Sequence, residues 1–285
     1  MNDVRCVAPS GDRLGEGPCW SAREGRLYWF DIKSRRLRWL EPASGEAGVF
    51  DLPMRASAAA PRTAGGLLMA TELGLAVLDT TTGRVDVIQP IQLEPGFRTN
   101  DGKIDPAGNF WWSTMDDNHG ERPGAVFRTG PDLVTERVLD GIHIANTISV
   151  SADGRRLYLA DSRKGVMSVH DTADLGKVAE LANTHDEDGT HDGSAIDAEG
   201  HLWNAHWGGS RIVRYAPDGR VDRIVAVPVE QPTSCAFGGP GLATLYVTSA
   251  WDGLDTEARA RQPLAGGLFA FEPGVKGLAL PEFAG

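Results

Sequence analysis

Six polar residues recur at matched places along the 285-residue chain: Glu16, Ser57, Asn100, Asn146, Asp192 and Ser234. Each stands 11 or 12 residues before the second member of an apolar pair, respectively Tyr28, Leu68, Trp111, Tyr158, Trp203 and Tyr246. Glu16, Asn146, Asp192 and Asn100 offer carboxylate and amide oxygens, which suit a hard divalent cation. So few protein ligands leave positions open for water and substrate, the pattern of a catalytic rather than a purely structural site. Taken singly, Asp and Asn before a strand are ordinary turn formers. Their coordinated recurrence is what points to a shared site.

The elements that would gather these residues are legible as repeats. A turn glycine precedes each apolar pair, as in Gly25 before Leu27-Tyr28, Gly108 before Phe110-Trp111 and Gly200 before Leu202-Trp203. Successive pairs are spaced by 40, 43, 47, 45 and 43 residues. A further strand signal follows each pair, such as Arg211-Ile212-Val213-Arg214-Tyr215, then turn residues and a fourth short run such as Val221 to Val225. Four strands per repeat of about 40 to 50 residues describe a propeller blade. The expected fold is all-β: a six-bladed β-propeller with four-stranded antiparallel blades around a central channel, one domain over residues 1–285. A sandwich would not need six copies of one pattern, and β-helix repeats are shorter.

In such a ring the innermost strands line the channel, so the six polar positions converge on its axis from different blades. The segment Val4 to Val7 precedes the first full repeat and is expected to supply the last blade's outer strand, which removes an open edge. If the chain enters each blade at the site face, connections between second and third strands return there. Met115 to Pro123 and Asp252 to Gly266 are then candidate walls or lids over the site, against the plainer reading of surface insertions. The one helical stretch expected is Thr256 to Gln262.

Composition excludes several classes. With 28 Lys and Arg against 39 Asp and Glu, the chain carries a formal charge of -11 and no basic stripe for nucleic acid or anionic membranes. No apolar run approaches a bilayer-spanning length, and Met1 to Cys6 lacks the apolar core of a signal peptide, so a cytoplasmic location is expected. Cys6, Cys19 and Cys235 lack paired spacing and read as ordinary thiols. A monomer is the expected state. The acidic run Thr184 to Gly189 lacks EF-hand spacing and reads as a solvated loop. His206 and Trp207 read as packed aromatics, and Asp101 either orients a ligand or caps a turn.

Five segments carry a resemblance, in order and at blade spacing. They are Leu14-Gly15-Glu16-Gly17-Pro18, Phe97 to Lys103, Ala145-Asn146 before Ser151-Ala152-Asp153-Gly154, His191-Asp192-Gly193 before Asp197 to Gly200, and Thr233 to Gly239. The sequence resembles the SMP-30/gluconolactonase/regucalcin family over nearly its whole length. That resemblance implies one divalent metal in the channel, of the type calcium, magnesium, manganese, zinc or iron(II), and hydrolysis of a sugar lactone as the activity. It also implies Glu16, Asn146 and Asp192 as metal ligands, with Arg98 and Asn100 contacting substrate. Asp192 is in addition the candidate general base, although a metal-bound carboxylate is a weakened one. The alternatives are a non-catalytic protein binding metal or sugar acid for regulation, and an organophosphate or other ester hydrolase on the same scaffold. Two departures from the family pattern stand beside the ligands: Thr147 in place of a glycine, and His191 in place of a proline. Each is expected to add a hydrogen-bonding group to the substrate pocket.

Overall fold

A computed structural model describes residues 3–285, and its strands form six four-stranded antiparallel sheets arranged as the blades of a propeller. The inner strands are Gly15–Ser21, Ala56–Pro61, Phe97–Ile104, Ala145–Val150, Thr190–Ile196 and Pro232–Gly238. Each begins the meander of its blade. Inner strands are buried almost throughout, as over Ala145–Val150, because neighbouring blades pack on both faces. Outer strands such as Val221–Ala226 alternate towards solvent.

The apolar pairs serve this packing. Tyr28, Phe30 and Leu37 of blade one share a core cluster with Leu67, Met69 and Leu78 of blade two, and Trp203 of blade five packs among Phe237, Leu245 and Phe269 of blade six. The ring closes as expected. Arg5–Ala8 pairs antiparallel with Leu268–Phe271, so the last blade takes its outer strand from the beginning of the chain.

One feature of the inner strands has no counterpart in the repeat pattern. All six carry a register shift beside the polar position, where the inner strand uses one more residue than its partner. Glu16 faces Phe30 and Cys19 faces Tyr28, so three steps on one strand match two on the other. A bulge of this kind re-aims side chains and bends the strand. Close approach at the bulges demands small residues. A Cβ on Gly17 (φ +55°) would lie 2.0 Å from the Ser57 carbonyl oxygen, and one on Gly193 would lie 2.0 Å from Ser234 Oγ.

The two ends of the channel differ. At the entry end of the inner strands, the connection after Phe110–Asp116 and the segment carrying helix Thr256–Arg261 both lie on the site face. Asp255 caps that helix by accepting from Ala258 N at 2.7 Å. At the far end a cavity of about 230 Å³ is lined by the closing residues of the inner strands, among them Pro18, Ile104, Val150, Ile196 and Phe237. The segment after residue 275 crosses beneath it. Leu278 N bonds Ile196 O, Phe283 N bonds Pro61 O, and the Phe283 side chain is fully buried. Among the described residues no helix is long and apolar enough to cross a membrane, and the three cysteines are free.

Candidate active site

The structure brings Glu16, Asn100, Asn146 and Asp192 together at the channel's entry end. Asn100 joins them: its Nδ2 donates to Asn146 Oδ1 at 2.7 Å and to the Ala145 carbonyl at 3.0 Å, while its Oδ1 accepts from Arg98 Nη1 at 2.8 Å. Asn146 Nδ2 donates to Ser162 Oγ at 2.9 Å, and that hydroxyl donates to the His191 carbonyl at 2.6 Å. The Asn146 amide is thereby held with its oxygen towards Asn100, and that oxygen keeps a second lone pair. Ser162 was not visible as a site residue in the sequence, because it arrives from the turn after the return strand Arg156–Asp161 of blade four.

Asp192 is anchored through its backbone, and its carboxylate takes a backbone contact from Gly193 but no side-chain donor among the described residues. Its carbonyl accepts from Thr147 Oγ1 at 2.6 Å and from Asn204 Nδ2 at 2.7 Å, and Asn204 Nδ2 also reaches Thr147 Oγ1 at 2.9 Å. Thr147 sits at φ +61°, an unusual region for a β-branched residue, held there by these bonds. Its side chain is fully buried and so is that of His191. The His191 ring turns into the blade, with Nδ1 3.1 Å from Asn204 Oδ1 and an edge-on contact to His206 at 5.1 Å. Neither residue adds a group to the substrate pocket. This corrects the expectation from sequence: both side chains are spent inside the protein, Thr147 on the Asp192 carbonyl and His191 on Asn204.

Asp101 also departs from a simple turn cap. Its Oδ1 accepts from Gly102 N at 2.8 Å and its Oδ2 from Ile148 N, in the next blade, at 2.9 Å. It therefore ties the bulges of blades three and four. Lys103, further down the same strand, donates to the carbonyls of Ser194 and Cys235, the latter at 3.2 Å. Of the plainer readings, His206 is packed, with Nε2 3.0 Å from Tyr215 Oη. In the Thr184 to Gly189 run, Glu187 is paired with Arg211 at 2.6 Å.

The electrostatics are those of a site short of positive charge. Burial first, and the neighbouring charge of Asp101 next, push the Glu16 carboxyl up to about 8. Burial, then Glu16 and Asp101, likewise raise Asp192 well above the usual carboxylate range, and burial raises Asp101. The Glu16 carboxylate accepts from its own neighbour Gly17 N at 3.1 Å. The hydroxyls of Ser57 and Ser234, at the two remaining polar positions, are buried without a hydrogen-bond partner among the described residues. Two like charges with few donors, an amide oxygen and unpartnered hydroxyls fit a divalent cation bound by oxygen.

Arg98 occupies the wall above. It is buried, which lowers its basicity, and its Nε donates to Asp117 Oδ1 at 2.9 Å. Burial alone would raise Asp117, but hydrogen bonds from Lys33 and Arg55 and the charge of Arg98 bring it down to about 2. Asp117 lies on the long connection expected to overhang the site, and nothing in the repeat pattern marked it individually.

The family model described as the SMP-30/Gluconolactonase/LRE-like region matches residues 14–251. The chain belongs to this family. The match begins two residues before Glu16 and takes in every candidate site residue. Among similar proteins, the L-arabinolactonase of Azospirillum brasilense is 39% identical, across 98% of this chain and 95% of that one. The 6-deoxy-6-sulfogluconolactonase of Pseudomonas putida is 33% identical, across 100% of both chains. A solved structure of a calcium-binding protein, regucalcin, from Agrobacterium tumefaciens superposes with a TM-score of 0.93 at 33% identity, covering 99% of this chain and 97% of that one. As a member of this family the chain has lactonase relatives over its full length, and sugar lactone hydrolysis is supported at the level of the family.

Proposed function

We propose that this protein opens a sugar lactone to the sugar acid at the entry end of the channel, with a divalent cation held by Glu16, Asn146 and Asp192. The observation that carries this reading is the pair of carboxylates meeting an oriented amide oxygen with almost no donor to balance them. Lactonase relatives over the full length of the chain support the reaction, and a calcium-binding relative supports the cation.

When bound, such a cation supplies Lewis acidity that stabilises negative charge developing on the lactone carbonyl oxygen. The rest falls to side chains. Asn100 and Arg98 present polar groups along one wall, where they orient sugar hydroxyls; with Nε on Asp117 and Nη1 on Asn100, Arg98 keeps Nη2 for the substrate. Asp192 accepts the proton of the attacking water. Its carboxylate is suited to this because its backbone is fixed by Thr147 and Asn204 while no side chain donates to its oxygens, and one of them can face water when the other holds the cation. The proton then passes to the ring oxygen as the ester bond breaks, leaving a carboxylic acid and an alcohol.

The two lactonase relatives named above act on different sugars by name, so the sugar itself is decided by the mouth of the channel rather than by the ligand set. The test is proton release from a panel of aldonolactones by the purified protein, with and without added divalent metal. Metal-dependent acceleration that disappears on chelation is expected. A rate equal to the spontaneous one across the panel, with metal present, would sink the reading.

A further inference from the structure

Three cations from three blades end on one carboxylate at the mouth of the channel. Lys33 comes from the connection after Arg26–Asp31 in blade one, and its Nζ lies 2.7 Å from Asp117 Oδ1. Arg55 comes from the entry to blade two, with Nη1 2.8 Å from Asp117 Oδ2. Arg98, in blade three, completes the set through Nε at 2.9 Å. Glu72 accepts from Arg55 Nε at 2.7 Å and is the second acid of the group. Three positive charges thus face two negative ones. In a chain of net charge -11 this local excess is the reverse of the general balance.

Structural cohesion is a poor account of that excess. One Asp beside one Arg would hold the connection down, and each added cation repels the others. The heads are not sealed off either. Lys33 and Arg55 keep 20% and 22% of their side-chain surface exposed, against 8% for Arg98. Only one of the three Lys33 ammonium protons is directed to an acceptor among the described residues.

The excess also has a direction. From Asn146 the hydrogen bonds run outward through Asn100 and Arg98 to Asp117, so the acidic cluster and the basic rim are the two ends of one wall. With the cation in place, a substrate lying along it meets the metal at the inner end, where the lactone carbonyl belongs, and ammonium and guanidinium groups at the outer end. An anionic group remote from the carbonyl is attracted by the second.

We propose that Lys33 and Arg55 form an anion subsite that selects lactones carrying a carboxylate, sulfonate or phosphate at the end remote from the lactone carbonyl. This rests on the lactonase reading, and it makes the product a dianion. Charge-assisted hydrogen bonds of this kind favour the charged substrate by about tenfold or more, and the advantage shrinks as salt is added.

The experiment compares kcat/KM of the metal-loaded protein for glucaro-γ-lactone and glucono-γ-lactone, which differ only in a terminal carboxylate in place of a hydroxymethyl group. The charged lactone is expected to be preferred. Lys33→Met should reduce the ratio of the two by about tenfold, Arg55→Gln should reduce it in the same sense, and Lys33→Arg should preserve it. A charged lactone no better than the neutral one, or a ratio unmoved in both neutralising variants, overturns the proposal. If neither lactone is hydrolysed, the lactonase reading fails first, and calorimetric binding of glucarate against gluconate decides the subsite separately. Tighter glucarate binding that is lost in Lys33→Met sustains it; equal affinities overturn it.

Discussion

Two acidic clusters in this propeller are built from similar residues and are compensated in opposite ways. In blade five, Asp197, Glu199 and His201 bring potential ligand atoms within 4.8 Å of one another. Arg214 fills that cluster. It donates to Asp197 at 2.7 and 2.9 Å, to Glu199 at 2.6 Å and to Asp222 at 2.6 Å, while Asp197 also accepts from Trp203 Nε1 at 2.9 Å and from the backbone of Glu199 and His201. Both oxygens of the buried Asp197 have donors, although His201 Nδ1 has no partner among the described residues. At the channel entry, Glu16 and Asp192 have almost no donors; burial and then the charge of Asp101 raise Glu16, and burial and then the charges of Glu16 and Asp101 raise Asp192. Proximity of acids is therefore a poor guide to function. What separates a structural acid from a functional one is whether the fold has already spent the acceptor capacity of its oxygens.

Substitutions should split along this line. The largest expected effect is that of Asp192→Asn: turnover falls on the order of a thousandfold, while the metal-free protein melts no earlier, because a carboxylate short of partners has been removed. Lactone hydrolysis and thermal melting read the two effects together. A variant that stayed active would remove Asp192 from the chemistry, and one that unfolded would make its acid structural like Asp197.

Arg214→Met should do the reverse. It leaves Asp197 buried and unpaired, a loss of about 3 kcal/mol in stability, with divalent metal affinity unchanged, as seen by denaturant unfolding and by metal titration. If metal binding weakened in step with stability, the two clusters would be one system and the comparison would break.

A third expectation uses pH. Burial first, then the charges of His191 and Arg211, bring His206 down to about 3. Its folded value lies below the unfolded one, so the unfolded state takes the proton first as pH falls. The stability due to its neutral burial is complete above the unfolded value near 6.5 and is lost between there and about 3. Between pH 6.5 and 5 the loss is on the order of 2 kcal/mol. His206→Gln should flatten this limb in denaturant melts, and an unchanged slope would show that the ring is protonated in the folded protein.

The smallest expected effect is that of Thr147→Gly. Relief of the strained φ offsets part of two lost hydrogen bonds, leaving a net destabilisation of about 1 kcal/mol. Because Thr147 holds the Asp192 backbone, kcat should fall more than KM changes; an unchanged kcat would mean that Asn204 alone suffices to hold Asp192.

Much of this was legible in the chain because blades repeat. The recurring glycine and apolar pair fixed the phase of each inner strand, and counting back from it located Glu16, Asn100, Asn146 and Asp192. Arg98 was reached only through the resemblance to the family, since it lies two residues outside that count. The roles expected of Thr147 and His191 rested on their departure from the family pattern, and the structure corrects them: each is the immediate neighbour of a candidate ligand on an inner strand, and its side chain is spent inside the protein, on the Asp192 carbonyl and on Asn204. Asp117, Lys33 and Arg55 left no mark, because they lie in connections that differ from blade to blade.

The sequence by itself determined the all-β architecture, the number of blades, the closing strand, read at Val4 to Val7 and found at Arg5–Ala8, and the ring of polar positions, since each follows from local spacing and from turn and strand chemistry that any one repeat displays. Only the tertiary structure decided which acids are free. Arg214 reaches Asp197 across a blade, and Lys33, Arg55 and Arg98 reach Asp117 from three blades. Asp192 and Glu16 are brought together without a cation of their own. Charge compensation is a property of groups distant in the chain and adjacent in space, and no spacing along the sequence encodes it.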